Sequence, residues 1–338
     1  MATSDSIWNP GTLRRTTGGY DAFYPAELPF TLDYPESTVN LLTDATAAVH
    51  RLAGVRRLLP TADILIGPYV RLEAVLSSRI EGTQATVEDL LLLEAGGEVD
   101  EREDVQEVLN YVDALRHAQD RLATLPLSGR LIKETHSILM RGVRGEHALP
   151  GEFRTTQNWI GPPGTLLADA TFVPPPPEEV PAAIGALEQF IHDRGLPDLI
   201  AAALAHYQFE TIHPFVDGNG RIGRLLIPLM LIDRGVLTIP VLYLSAYFER
   251  HREEYYARLD DVRLGGSPFG WLDFFLRGVA FYARDAEERT VALVDLQRDL
   301  RVGLQESGAT LTTIRLAERL IDRPYVTAPQ VTKMLDVT

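Results

Sequence analysis

Twelve contiguous residues, His213–Arg224 (HPFVDGNGRIGR), constrain this chain more than any other stretch. Upstream of them Ile200, Leu204, Tyr207 and Thr211 recur at helical spacing, with Asp198 as an N-cap behind Pro197. Downstream, a second helix opens near Gly220 and runs through Leu225, Leu226, Leu229 and Met230. The pattern is helix, glycine turn, helix. Gly218, Gly220 and Gly223 spell the dinucleotide fingerprint, but that motif needs a preceding strand inside a βαβ unit, and a helix precedes it here. Gly218 and Gly223 also stand at Walker A spacing, yet Arg224 and Leu225 follow where that loop requires Lys and Ser or Thr. Both strand-based nucleotide folds are thereby excluded.

What remains is a glycine turn at a helix N-terminus, where unpaired backbone N–H groups carry partial positive charge and phosphate oxygens can approach closely. The turn reads as an anion cradle. Asp217 supplies a hard oxygen ligand for magnesium, which usually takes only one or two protein carboxylates. Arg221 and Arg224 would project from the first turn as phosphate forks. His213 is left over, and it can serve as a base.

The run resembles the signature of the Fic family, H-P-F-x-D/E-G-N-G-R-x-x-R, at every fixed position. That resemblance implies an all-α core and transfer of AMP from ATP to a hydroxyl of a protein target. It also implies that Asn219 and the amides of Gly218, Gly220, Arg221, Ile222 and Gly223 stabilise the α-phosphate, with Arg221 and Arg224 on the outer phosphates. A second stretch, Ser77-Ser78-Arg79-Ile80-Glu81-Gly82, resembles the S/T-x-x-x-E-G/N inhibitory helix of Fic proteins with an N-terminal brake. In that reading Glu81 docks on Arg224 in place of the γ-phosphate, and Ser77 anchors the contact.

Composition narrows the rest. The 338 residues are 45% hydrophobic, enough for a sizeable core and for two or three domains. A formal net charge of -15 disfavours broad nucleic-acid or anionic-membrane binding, and DNA is not an expected partner. With no cysteine there are no disulfides or thiolate sites, and neither a signal peptide nor a long apolar span stands out. A cytoplasmic protein is the simplest expectation, and assembly into a homo-oligomer is compatible with it.

The stretch to about Pro35 has no helical period and is expected to lie as an arm over the body. Helical patterning runs from Ser37 to Leu59, from Gly67 through Arg79, from Glu101 to Ala123, and from Gly129 to Met140. The acids around Glu98–Glu107 read as a solvated linker and helix start, and His136 as a satisfied core histidine. Between Arg141 and Pro177 two short extended runs, Gln157-Asn158-Trp159-Ile160 and Thr171-Phe172-Val173, flank a Gly-Pro-Pro-Gly turn and read as a β-hairpin. The family resemblance makes this hairpin the flap on which an extended segment of the target protein docks by main-chain hydrogen bonds. Within a helix from Ala246 to Arg263, Tyr256 falls where family members form the adenine pocket. After the Gly265-Gly266-Ser267-Pro268 break, Phe269–Leu300 forms one long helix or two. The tail, a helix over 311–321 and another opening at Thr327-Ala328-Pro329 with Thr338 as a cap, starts a helix-turn-helix but has no excess of basic residues.

The expected architecture is therefore an all-α Fic-type helical bundle with a β-hairpin flap: an N-terminal arm and inhibitory segment over 1–100, a catalytic core over 101–285, and a partial winged-helix or helix-turn-helix module over 286–338. The expected activity is ATP- and magnesium-dependent protein adenylylation with His213 as base. Two readings compete with it. One uses the same pocket for another nucleotide or phosphate transfer, or for removal of AMP by water; the other is a DNA-associated regulator that senses nucleotide.

Overall fold

A computed structural model describes residues 8–29, 32–55, 62–143, 149–162 and 164–336, the side chains of 62–65 excepted. The expected end of the first helix at Leu59, the cap at Thr338 and Pro163 of the turn lie outside these residues.

Helix α7 (Asp198–Ile212) occupies the centre. Every residue from Leu199 to Ile212 is buried, so this helix has no polar face, as expected of one surrounded on all sides by other helices. Truncating a side chain such as Leu204 to Ala would cost about 2–5 kcal/mol. Its partner α8 (Asn219–Asp233) packs against it and is almost as deeply buried. Around this pair lie α1 (Glu36–Val55), α2 (Ala62–Ile80), α3 (Val87–Glu94), α4 (Arg102–Arg121), α5 (Gly129–Leu139) and α6 (Val180–His192) from the N-terminal side. From the C-terminal side come α9 (Ser245–Arg250), α10 (Arg252–Arg263) and α11 (Phe269–Glu306). The 38 residues of α11 span about 57 Å, pack along α1, and carry the chain to α12 (Leu311–Leu320) and α13 (Ala328–Leu335).

Several expectations are refined. The stretch expected as an irregular arm contains an antiparallel hairpin, β1 (Gly11–Arg15) and β2 (Asp21–Pro25), turned by Thr16-Thr17-Gly18-Gly19 with Gly19 at φ 82°. Asp198 is the first residue of α7 rather than its cap, and its carboxylate pairs with Arg234 at 2.9 Å. The helix expected over Ala246–Arg263 breaks at His251. Helix α3 was not anticipated, although Thr86 and Asp89 close a capping box at its start. The flap is less regular than a hairpin: one β-bridge, Ile160 to Phe172, joins its two runs, and a 3₁₀ turn over Leu167–Asp169 closes it. Finally, α11 runs without a break across residue 285.

Candidate active site

The loop between α7 and α8 owes its shape to its own residues. His213 ends α7 in the left-handed region at φ 50°, its amide still bonded to the Phe209 carbonyl at 2.9 Å. Six residues on, the Asn219 side chain accepts from the Phe215 amide and donates to the Phe215 carbonyl, both at 2.8 Å. These reciprocal bonds close the turn. Phe215 is fully buried, with the His136 ring stacked on it at 3.7 Å. His136 Nε2–H donates to the Asp217 carbonyl at 3.0 Å, while Nδ1 accepts from the Gly151 amide at 2.9 Å. Burial pushes this imidazole down to about 4, so it stays neutral. It is the satisfied histidine expected from the sequence, and it props the loop from below.

Gly218 is required here twice over. Its φ of 75° suits glycine, and a Cβ would meet Met140 Sδ at 2.9 Å and His136 Nε2 at 3.4 Å.

The His213 ring is half-buried at the loop's edge. Its Nδ1 lies 3.3 Å from the Glu210 carbonyl, an acceptor, so Nδ1 carries the proton and the Nε2 lone pair is left for chemistry. Burial first, then the Arg263 and Arg154 charges, push the imidazole down to about 4. It is neutral at pH 7. Its carbonyl accepts from Arg154 Nε at 2.9 Å and Asn158 Nδ2 at 3.2 Å. Arg154 is itself buried and also donates to the Pro175 and Ile212 carbonyls, fixing the backbone under the histidine.

At the start of α8 the first helical bond runs from the Ile222 amide to the Gly218 carbonyl at 3.0 Å. The Gly220 and Arg221 amides precede it in the turn that has no intrahelical acceptors. The cradle is therefore narrower than the signature suggests: the Ile222 amide is committed to the helix and its side chain is core. Gly223 faces inward, where a Cβ would collide with Glu210 Oε1, and its carbonyl accepts from His206 Nδ1 at 2.8 Å. Asn219 is likewise committed to the loop through Phe215, so its part is to set the loop's shape.

The two arginines differ. Arg221 does not project as a fork; it is buried and donates to Glu107 Oε2 at 3.1 Å. The acids expected to be solvated are thus partly interior: Asp104 accepts from the Gln84 amide at 2.7 Å, and Glu107 holds both Arg221 and the Thr83 hydroxyl. Arg224 is 1% exposed and held by the end of α2 and the turn after it: Nε donates to Ser77 Oγ at 2.9 Å, and Nη2 to the Ser77 carbonyl at 3.0 Å and to Glu81 Oε1 at 2.6 Å. Residues 143 positions apart in the chain meet here. Burial works to raise the Glu81 carboxyl, but the charge and hydrogen bond of Arg224, with Arg221 and His213, outweigh it and hold the group below its ordinary value. Glu81 Oε1 also lies against Gly220, at the mouth of the cradle.

Asp217 is half-exposed beside this mouth, one oxygen accepting from the Gly218 amide at 2.6 Å and standing 4.0 Å from Arg221. A single hard carboxylate at the opening of a phosphate cradle fits magnesium, which keeps most of its shell as water and phosphate oxygen. Among the described residues no cluster of three His, Cys, Asp or Glu offers another metal site. Tyr255 is core, its hydroxyl donating to His206 Nε2 at 2.8 Å, whereas Tyr256 is 39% exposed and close enough to Glu81 and Arg224 to feel both charges. On the flap, Trp159 is 40% exposed, Asn158 turns inward to the loop, and Gln157 donates to the Pro174 carbonyl at 3.0 Å.

Sequence reasoning missed Arg154, Glu107, Glu210 and Glu73. Glu210 and Glu73 are buried carboxyls flanking Arg224; burial raises each to about 7 against the pull of that cation. Glu210 could have been suspected as a carboxylate on an otherwise apolar helix; no spacing marks Arg154.

Comparison with known proteins bears on this geometry. A profile described as the Fic/DOC family N-terminal region matches residues 39–120, and one described as the Fic/DOC family matches 126–231, together more than half the chain. A probable protein adenylyltransferase of Aquifex aeolicus is 35% identical over 101 residues, covering 30% of this chain and 29% of that protein. Protein adenylyltransferase fic-1 of Caenorhabditis elegans is 29% identical over 175 residues, 50% of this chain and 30% of its own. The chain spans about a third of the length of these curated relatives. Among solved structures, a Fic family protein from Desulfovibrio desulfuricans superposes with a TM-score of 0.64 at 21% identity, covering 91% of this chain and 86% of that one. A fragment of C. elegans Fic-1 gives 0.56 at 22%, covering 77% and 73%. Both show the same fold. No helix among the described residues is long and apolar enough to cross a membrane.

Proposed function

The chain belongs to the Fic/DOC family, and from that premise we propose that it is a protein adenylyltransferase, moving AMP from ATP to a Ser, Thr or Tyr hydroxyl of a protein target or of itself. The observation that carries this reading is a neutral His213, Nε2 unprotonated, beside a helix N-terminus whose Arg224 is held by the Glu81 carboxylate from the turn after α2.

In the reaction Nε2 of His213 takes the proton of the target hydroxyl as its oxygen bonds to the α-phosphorus. The bond from that phosphorus to the bridging oxygen breaks, and pyrophosphate leaves. Base catalysis of this kind is worth roughly 10²–10⁴-fold. The Gly220 and Arg221 amides face the charge developing on the phosphate, and positioning with fixed dipoles supplies much of the rest. Asp217 would hold magnesium, which when bound neutralises phosphate charge. Tyr256 lines the nucleoside side, and the flap run Gln157–Ile160 would dock an extended target segment through the Trp159 main chain, since both main-chain groups of Ile160 are taken by Thr171 and Phe172. Arg224 would bind the γ-phosphate, so Glu81 must leave it before ATP can bind productively: the resting protein is braked. ATP as donor and a chain without cysteine suit a cytoplasmic setting.

The test is incubation of the Glu81→Gly protein and a cell lysate with α-labelled or γ-labelled ATP. Label retained on protein from the α position alone selects adenylylation. Retention from the γ position instead would select phosphorylation and overturn the assignment.

A further inference from the structure

The flap does not hold itself in place. One β-bridge between Ile160 and Phe172 joins its runs, whereas even a regular two-stranded ribbon is marginal in water. A docking edge must nevertheless keep a fixed height above His213 if a hydroxyl is to arrive within reach of Nε2.

The missing support comes from the N-terminal hairpin, which lies outside both family-matched segments. The Phe23 amide in β2 donates to the Val173 carbonyl at 2.9 Å, and the buried Phe23 ring packs on Phe172 with centroids 5.7 Å apart. Tyr20 Oη donates to Gln157 Oε1 at 3.0 Å. Gln157 in turn donates to the carbonyls of Asn158 and Pro174, and Asn158 donates to those of His213 and Phe215. A continuous run of hydrogen bonds thus links the hairpin to the catalytic loop. The far end of the arm is tied to α7, where Gln208 Nε2, five positions before His213, donates to the Ala26 carbonyl at 2.9 Å. The arm therefore bridges the helix that carries His213 and the flap that faces it.

We propose that this hairpin is a positioning element of the target-docking surface, with Tyr20 and Phe23 setting the height and register of the flap over His213. The inference rests on the transferase reading. The contacts made by the two residues are with the flap, not with the nucleotide cradle, so they act on the protein substrate and leave ATP alone.

The experiment uses full-length Phe23→Ala and the milder Tyr20→Phe, which removes a single hydroxyl and keeps the ring. Hydrogen exchange of residues 157–173 should rise about tenfold in Phe23→Ala and less in Tyr20→Phe, while exchange of α7 stays unchanged. In a Glu81→Gly background, with the full-length His213→Ala protein as acceptor in trans, KM for the acceptor should rise about fivefold, the factor one net hydrogen bond carries, and KM for ATP should hold within about twofold. Unchanged flap exchange, or a KM for ATP that rises in step with that for acceptor, overturns the proposal. If the Glu81→Gly parent transfers no AMP, the transferase reading fails instead, and the exchange data alone decide whether the hairpin holds the flap.

Discussion

His213 combines two properties that usually oppose each other: it is buried enough to stay neutral, yet its ring is only half-buried, with Nδ1 spent on the Glu210 carbonyl and Nε2 left as the base. Burial and the Arg263 and Arg154 charges lower its proton affinity, with the pKa about 4, so the unprotonated base survives far below the usual histidine range. The acid limb of kcat/KM for AMP transfer, measured with the Glu81→Gly protein to remove the brake, should therefore fall near pH 4 rather than near 6.5. Glu81 acts to raise the imidazole, so its removal cannot move the limb upward. A limb at 6.5 would show that His213 is not the titrating base. Glu210 has the opposite sign. Its carboxyl, with Oε1 buried and without a hydrogen-bond partner, is raised to about 7 from an ordinary 4.5. A group raised on folding contributes stability that is complete below its unfolded value and lost as pH rises through its folded one. The Glu210→Gln protein, which has no proton to lose there, should gain on the parent as pH rises from 4 through 7, melting above it at pH 8 by a margin absent at pH 4. Equal differences at pH 4 and pH 8 would mean that Glu210 does not titrate in this window.

Two helices from distant parts of the chain share one guanidinium. Helix α8 offers Arg224, and α2 answers with Ser77 and with Glu81 from the turn at its end, a contact in which the carboxylate supplies the charge and the serine fixes the angle. Glu81→Gly should raise self-modification and strengthen productive ATP binding, and Glu81→Gln should do so partly, because the amide still accepts a hydrogen bond but loses the charge. Arg224→Ala should not mimic release, since it removes the phosphate partner with the brake. Added to Glu81→Gly it should cancel most of the gain, the coupling expected of residues in contact. A double variant as active as Glu81→Gly alone would remove Arg224 from ATP binding. This meeting was legible only through the resemblance of Ser77–Gly82 to the family's inhibitory motif, since no local pattern pairs residues 143 positions apart. The helices were legible from the residues themselves, since apolar periodicity over ten or more residues leaves few alternatives. What was not legible depended on neighbours distant in the chain. Arg221 looks like a fork until Glu107, 114 residues away, is seen beneath it. The Glu98–Glu107 run looks solvated until Arg221 and the Gln84 amide are brought against it. The Thr16–Gly19 turn is a fair hairpin signal, yet β1 and β2 make sense only once Val173 and Gln208 supply the surface they lie on.

The brake helix is held from its other end as well, by the last helices of the chain. Helices α12 and α13 were expected to begin a helix-turn-helix; among the described residues they return to the body and dock on α2 and α3. Arg71, 1% exposed, donates to Asp322 Oδ1 at 2.7 Å, to the Asp322 carbonyl at 3.2 Å and to Glu94 Oε2 at 2.8 Å. Asp322 closes over Gly67 so tightly that a Cβ there would collide with its carboxylate. Gln330 Nε2 adds a bond to the Glu94 carbonyl at 3.0 Å, and the Tyr325 hydroxyl adds one to Glu88 at 3.0 Å. Removing one partner from a buried ion pair costs about 3–5 kcal/mol when the remaining charge is stranded. Asp322→Ala strands Arg71 only partly, because Glu94 stays and both carboxylates keep some contact with water, so a loss of about 2 kcal/mol is expected, below that range. Urea unfolding should show it as a lower midpoint at unchanged slope. Arg71→Met should cost less than Arg71→Ala, since the thioether chain fills the buried volume and the two carboxylates, each partly exposed, can turn to solvent. If Asp322→Ala and the parent unfold at one midpoint, desolvation of Arg71 cancels its pairing, and the tail is held instead on α3 by the glutamine and tyrosine bonds.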